Sequence, residues 1–161
     1  MIPREPVKVP SGVLLAVDWG RKRVGLAVCD STQSMVFPLK MMPRNGDQAD
    51  SAALSKAIRE NGAKAIIVGW PLLASGLSGQ NGPEIIKWVE VVLKDSLPDV
   101  YFADERFTSV LADETLRESG RKASQRKHLI DSMAAREFLQ DVIKGAVRIW
   151  PFGTNPPALE L

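Results

Sequence analysis

The sequence predicts an α/β fold with a mixed five-stranded sheet flanked by helices. Short apolar segments separated by turns come first in the chain, which is typical of antiparallel strands. After residue 40, helical and strand-like segments alternate, which is typical of strands connected through helices. At 161 residues the chain is long enough for one domain with a sizeable core.

The first three strands are predicted from apolar runs and turns. One strand covers about Val13 to Asp18, and the turn Trp19-Gly20-Arg21-Lys22 joins it to a second strand over Val24 to Cys29. We expect these two strands to form a hairpin. A third strand is predicted around Met35 to Lys40. Residues 1–12 are rich in proline and lack periodicity, so we expect a flexible lead-in.

The middle of the chain alternates helix and strand. Helical spacing from Asp50 onward ends at Asn61-Gly62, a typical helix-ending pair. The continuous apolar run Ala65 to Gly69 suits a strand buried on both faces. Pro83 is well placed to open a helix over Glu84 to Lys94. A strand over Val100 to Ala103 then completes the five.

Two helices are predicted in the last third of the chain. Thr108 or Ser109 caps the first, which ends at Gly120, and Ser124 caps the second, which runs to about Lys144. The proline-containing segment from Trp150 is predicted to be a loose tail. The domain therefore spans residues 13–149, between the lead-in and a tail over 150–161.

Composition bounds the class of protein. The single cysteine, Cys29, excludes an intramolecular disulfide. No apolar run approaches the roughly 18 residues of a membrane span, so we expect a soluble, cytoplasmic protein without a membrane partner. The net charge of +2 is only a weak sign of an anionic partner.

Acidic residues at the ends of apolar segments are the main functional signal. Asp18 ends the first strand, Asp104 and Glu105 follow Val100 to Ala103, and Asp131 lies on the apolar stripe of the last helix. Strand alternation places Asp18 with Leu14 and Ala16, and Asp104 with Phe102. Carboxylates in such positions must be paired, hydrogen-bonded or bound to a cation.

A divalent metal site is the chemistry that these acids permit. Mg²⁺ prefers oxygen ligands and binds through one or two carboxylates plus substrate phosphate. Two such ions about 3.5–4 Å apart activate water and stabilise the leaving oxygen of a phosphodiester. Local roles remain open: Asp18 as a turn acceptor, Asp131 as a helix cap, and Glu105 as a partner of Arg106.

Four segments, in this order and spacing, resemble the YqgF family of Holliday-junction-resolvase-like proteins, which are described as pre-16S ribosomal RNA nucleases. The resemblance covers about Val13 to Lys144. The segments are Asp18-Trp19-Gly20-Arg21-Lys22-Arg23-Val24-Gly25-Leu26-Ala27, Val68-Gly69-Trp70-Pro71-Leu72 followed by Gly76, Asp104-Glu105-Arg106-Phe107-Thr108-Ser109, and Ile130-Asp131-Ser132-Met133-Ala134-Ala135.

The resemblance implies a ribonuclease H-like fold and a nuclease site dependent on Mg²⁺ or Mn²⁺. It assigns Asp18, the Asp104-Glu105 pair and Asp131 to catalysis, with Asp18, Asp104 and Asp131 as metal ligands. The implied reaction trims the 5′ end of the small-subunit rRNA precursor. Ala74-Ser75, Phe107 and Ser109 depart from the family pattern, which affects substrate contacts more than the acids.

Basic residues accompany each acidic segment. Lys and Arg contacts to phosphates would hold a nucleic acid beside the metals. The basic residues predicted to do so are Arg21, Lys22, Arg23, Arg106, Arg126 and Lys127.

Three functions are compatible with these patterns. The first is an endonuclease that acts on structured RNA of the pre-ribosome. The second is a resolvase of four-way DNA junctions, for which a dimer is expected. The third is a non-catalytic RNA- or ribosome-binding module of the same fold. We expect a monomer or weak homodimer, and the sequence leaves open whether Asp104 or Glu105 faces the metal.

Overall fold

The computed structural model describes residues 7–70, 82–94, 98–104 and 123–152. At residue 104 and over residues 123–132 it describes the backbone only. The helix predicted between Thr108 or Ser109 and Gly120 lies outside these ranges.

Apart from two added short strands, the described elements follow the predicted order of three strands and then alternating helices and strands. Their bounds are β1 Leu14–Asp18, β2 Arg23–Cys29, β3 Val36–Pro38, β4 Met42–Pro43, α1 Asp47–Asn61, β5 Ala65–Trp70, α2 Gly82–Val92, β6 Asp99–Asp104, α3 Ala123–Ile143 and β7 Ile149–Pro151.

The strands form one mixed sheet in the order β3-β2-β1-β5-β6-β7, with β4 also paired to β2. The predicted hairpin is confirmed, because β1 and β2 are antiparallel with Asp18 opposite Gly25. β5 pairs in parallel with both β1 and β6. The sheet thus has seven strands instead of the predicted five, and β4 and β7 are the additions.

The helix ends agree with the sequence signals in part. Gly62 follows α1 in the left-handed region with φ 64°, which confirms the predicted stop. α2 begins at Gly82, with Pro83 in its first turn, and ends at Val92. α3 already includes Ala123, so Ser124 lies inside the helix and the predicted cap at Ser124 is wrong.

The sheet has an apolar core on each face, which gives three layers. One core packs α1 and α2 against side chains such as Leu15, Val17 and Val68. The other core packs Phe138, Leu139 and Val142 of α3 against the alternate residues of the same strands. None of the helices within the described ranges is both long and apolar enough to cross a membrane.

The segment from Trp150 is not loose at its start, contrary to the sequence prediction. β7 pairs antiparallel with β6, with Trp150 opposite Phe102. The Trp150 side chain is fully buried, and the Arg148 guanidinium lies 5.6 Å from its ring centre. Burial of this large side chain stabilises the edge strand although Pro151 ends it.

The lead-in is also more ordered than its sequence indicates. The Val7 amide donates to the Ile149 carbonyl at 3.0 Å, and Val9 packs against the α3 core. Gln33 donates from Nε2 to the carbonyls of Pro10 and Gly12 at 2.7 and 2.9 Å. Residues 7–12 therefore lack helix or strand but are fixed by specific contacts.

Cys29 is a structural residue and we expect it to be unreactive in the folded protein. Its Sγ accepts from the Leu14 amide at 3.2 Å and donates to the Gly12 carbonyl at 3.7 Å. Burial raises the pKa of the Cys29 thiol, so at about pH 8 it stays protonated. Iodoacetamide should label it only after denaturation; equal labelling rates before and after denaturation would contradict this role.

Candidate active site

Asp18 lies at the carboxyl end of β1, where its side chain is half-buried. It is the last residue of the strand and is paired with Gly25 of β2. Leu14 and Ala16, which precede it at alternate positions, belong to the core beneath α3. Alternation therefore places Asp18 on the α3 face of the sheet.

The end of β6 lies at the same edge of the sheet as Asp18. β1, β5 and β6 are parallel, and the register pairs Val17 with Val68 and Val68 with Phe102. The backbone of Asp104 is paired with Trp70 of β5. With one strand between them, the backbones of Asp18 and Asp104 are separated by roughly 10 Å across the sheet.

Alternation along β6 distinguishes the two acids of the Asp104-Glu105 pair. Phe102 belongs to the core beneath α1 and α2, and its ring centre lies 5.1 Å from that of Trp70. Ala103 belongs to the opposite core, beneath α3. Position 104 alternates with Ala103 and so belongs to the same face of the sheet as Phe102, as the sequence predicted. Asp18 belongs to the opposite face, beneath α3. Glu105 and Arg106 lie outside the described residues.

α3 crosses the face on which Asp18 lies. The helix packs on β1, β2, β3 and β5. Ala134 and Ala135 are buried, and such small side chains let a helix approach the sheet closely.

The direction of α3 follows from contacts of its carboxyl half. Gln140 and Ile143 border an open cavity of about 420 Å³ together with the loop at Gln33 to Val36, which follows Cys29. Cys29 in turn contacts the Leu14 amide at the amino end of β1. From Gln140 back to Asp131 the helix rises about 13 Å, and β1 rises a similar roughly 13 Å from Leu14 to Asp18.

The described side chains contain only one of the four predicted acids. Asp18 belongs to that set, whereas the side chains of Asp104, Glu105 and Asp131 do not. Among the described side chains, no group of three or more His, Cys, Asp or Glu residues is arranged so that it could hold a metal ion. The donor chemistry of all four residues is nevertheless uniform, since each offers carboxylate oxygens, the ligand type that suits Mg²⁺ or Mn²⁺.

The basic residues divide into two groups. Arg21 and Lys22 are exposed in the turn directly after Asp18, and Arg21 lies 3.4 Å from Glu84 of α2. Arg23 begins β2. Arg126 and Lys127 belong to the amino half of α3, of which only the backbone is described.

A buried polar network beside the turn was not predicted from the sequence. Asp50 of α1 is the only buried charged residue among the side chains that the structure describes. Its Oδ2 accepts from Trp88 Nε1 at 3.0 Å and from Arg44 Nε at 3.5 Å, and its Oδ1 accepts from the Asn45 amide at 3.0 Å. A usable signal existed, because Asp50 shares the helix stripe of Ala53 and Leu54, as Asp131 does with its alanines.

Gly20 is required in the turn after Asp18. A Cβ at this position would lie 2.5 Å from the Arg23 carbonyl oxygen, which is too close for any side chain. We expect Gly20→Ala to destabilise the fold by about 1–3 kcal/mol, because the turn must open. Urea unfolding monitored by circular dichroism measures this, with Lys22→Ala as a control in the same turn. Equal stability of the two variants would contradict the expected clash.

Comparison with known proteins identifies relatives along most of the chain. Residues 12–145 match the sequence model of a family described as RuvX: Holliday junction resolvase. A Koribacter versatilis protein named as a pre-16S rRNA nuclease is 37% identical over 140 residues, which cover 83% of this chain and 90% of the relative. A Dechloromonas aromatica protein of the same name is 32% identical over 147 residues, covering 91% and 99%.

Solved structures agree at the level of the fold. Thermus thermophilus RuvC, in complex with a Holliday junction substrate, matches with a TM-score of 0.54 at 16% identity. The match covers 86% of this chain and 99% of RuvC. This similarity supports the ribonuclease H-like architecture predicted from the sequence. Since the sequence match extends over most of the described domain and the fold agrees with it, the chain belongs to the RuvX family.

Proposed function

We propose that this protein is a metal-dependent endonuclease that processes the 5′ end of pre-16S rRNA by hydrolysing a phosphodiester bond. The observation that carries the proposal is that β1 and β6 end at the same edge of the sheet, each in an aspartate. Asp18 ends β1 and Asp104 ends β6 at this edge, and α3 packs on β1 and on β5, the strand between them. Relatives that share the whole domain are named as pre-16S rRNA nucleases.

The direction of α3 supports the inclusion of Asp131. The carboxyl half of α3 lies at the amino end of β1. The amino half of the helix therefore extends toward the carboxyl end of β1, where Asp18 lies. The similar rise from Gln140 to Asp131 and from Leu14 to Asp18 favours a place for Asp131 near Asp18. We infer that these two carboxylates hold Mg²⁺ or Mn²⁺ together with one acid from the end of β6.

Strand parity favours Glu105 over Asp104 as that third acid. Ala103 faces α3, whereas position 104 has the parity of Phe102, which faces the other core. If the strand alternation continues by one residue, Glu105 is the acid on the face of Asp18. Glu105→Gln should then reduce cleavage much more than Asp104→Asn; the reverse order would assign the role to Asp104.

The bound ion would polarise the scissile phosphate and lower the pKa of an attacking water. The protein residues bind and orient the substrate. Arg21, Lys22 and Arg23 lie beside Asp18, and their positive charges would hold the phosphodiester backbone at the acids. Arg106, Arg126 and Lys127 are proposed to extend this contact, which should make binding weaken steeply with salt.

The substrate is tested by a direct comparison. Purified protein is incubated with pre-16S rRNA bearing its 5′ extension and, separately, with a four-way DNA junction, in Mg²⁺, in Mn²⁺ and in EDTA. We expect RNA cleavage that needs the metal and stops in EDTA. Cleavage that persists in EDTA would overturn the metal mechanism.

A four-way DNA junction is the second candidate substrate, because the matched family carries the description Holliday junction resolvase. Preferential cleavage of the junction, accompanied by a dimer in solution, would favour this activity over RNA processing. Binding of precursor RNA without cleavage under any metal condition would show a non-catalytic module. We propose a monomer or weak homodimer that acts in the cytoplasm, where the ribosomal precursor is matured.

A further inference from the structure

We propose that Arg44, itself fixed by buried Asp50 and Trp88, is a positioning residue that holds the turn after Asp18 in the conformation that nucleic-acid cleavage requires. The inference rests on the proposed nuclease function for its catalytic part. Its structural part, the fixing of the turn, is tested independently of any activity.

Arg44 contacts the turn through both its backbone and its side chain. Its amide donates to the Lys22 carbonyl at 3.0 Å. Its Nη1 donates to the carbonyls of Gly20 and Arg21 at 3.4 and 3.2 Å. The guanidinium also lies 5.0 Å from the centre of the Trp19 ring. Four consecutive residues, beginning directly after Asp18, are thus held by one arginine.

Asp50 fixes the guanidinium from the other side. The Asp50 side chain is 1% exposed and that of Arg44 is 23% exposed, so the pair lies mostly out of water. Trp88 of α2 and the Asn45 amide occupy further acceptor sites of the carboxylate. A buried carboxylate with this many donors keeps one orientation, which it imposes on Arg44.

The network connects both helices of one face to the turn that borders the proposed site. Asp50 belongs to α1 and Trp88 to α2, whereas the turn joins β1 to β2. None of the side chains of Arg44, Asp50 and Trp88 is an expected ligand of the metal. The arrangement therefore acts on the site through the backbone of residues 19–22, which determines where Asp18 and the basic side chains point.

The test uses Arg44→Ala in the full chain, with Arg59→Ala as a matched control. Arg59 is an exposed arginine in the last turn of α1, so the control removes the same charge from outside the network. Hydrogen exchange measured by mass spectrometry on peptides that span residues 18–26 reports the turn directly. We expect exchange about tenfold faster in Arg44→Ala and unchanged in Arg59→Ala.

Cleavage kinetics test the catalytic part. We expect kcat/KM of Arg44→Ala to fall about ten- to a hundredfold, mostly through kcat, because the acids and phosphate are misaligned while binding charges remain. Circular dichroism confirms that the variant is folded at the assay temperature. Should it fail to fold, Arg44→Lys replaces it, since lysine keeps the charge but not the planar fork.

The outcomes separate the two proposals. Unchanged exchange in residues 18–26 overturns the positioning role whatever the activity. Faster exchange with unchanged kcat/KM also overturns it, because the turn then does not need to be held. If the wild type cleaves neither RNA nor DNA, the nuclease proposal fails, and the exchange result alone decides whether Arg44 fixes the turn.

Discussion

Asp18→Asn is expected to reduce metal-dependent cleavage by at least about a hundredfold while the protein stays folded. The substitution keeps the shape of the side chain but removes a negative charge that would bind the metal. A loss of a few kcal/mol of transition-state stabilisation corresponds to a rate change of this size. The measurement is single-turnover cleavage of precursor RNA over a Mg²⁺ and Mn²⁺ titration, with folding checked by circular dichroism.

Asp30→Asn provides the matched control for Asp18→Asn. Asp30 directly follows β2, and its carboxylate accepts from the Met35 amide at 3.0 Å, from Thr32 Oγ1 at 2.7 Å and from the Ser34 amide at 2.7 Å. These bonds lower the pKa of Asp30, which marks it as a loop-stabilising acid at the opposite edge of the sheet from Asp18. We expect near wild-type cleavage from Asp30→Asn. Equal activity of both variants would remove Asp18 from the catalytic site.

Trp150→Ala is expected to cause the largest loss of stability, about 3–5 kcal/mol. The side chain is fully buried in a strand that the sequence predicted to be loose. Its removal leaves a buried cavity and takes away the ring over which the Arg148 guanidinium lies. Urea denaturation gives the change in unfolding free energy from the midpoint and slope.

Phe152→Ala serves as the control for the Trp150 prediction. Phe152 is 38% exposed, and its ring centre lies 5.9 Å from that of Phe102. Phe152→Ala should therefore lower the free energy of unfolding much less than Trp150→Ala does. If both variants lose the same small amount, β7 contributes little to the fold and the tail interpretation would be restored.

The predicted elements that the structure confirms are those with long apolar runs or with a clear helix-ending residue. β1, β2 and β5 have nearly continuous apolar sequences, and Gly62 ends α1 as its position indicates. β4 and β7 escaped prediction because they contain two and three residues and end in proline. Their pairing energy comes from partners distant in sequence, which local patterns do not report.

The sequence predicts the candidate site as a set of acids, and that set stays a prediction, whereas the contacts that support the turn after Asp18 were not predicted. Asp18 stands out because a carboxylate ends an apolar strand, and strand parity separates position 104 from the face of Asp18 once the register is known. In the Arg44 network only Asp50 carried a sequence signal, and the partners of its carboxylate could not be read from the sequence. The contacts of the network join the segment after β4, α1 and α2 to a turn far away in the chain, and they exist only after these elements pack.

The hydrogen bond from the Val7 amide to the Ile149 carbonyl brings the two ends of the domain side by side. Domains whose termini meet in this way generally accept circular permutation. A peptide that joins the end of β7 to Val7, with new termini opened in an exposed loop, would preserve every strand pairing described above. Fluorophores attached at the two ends would likewise report global unfolding as a loss of energy transfer.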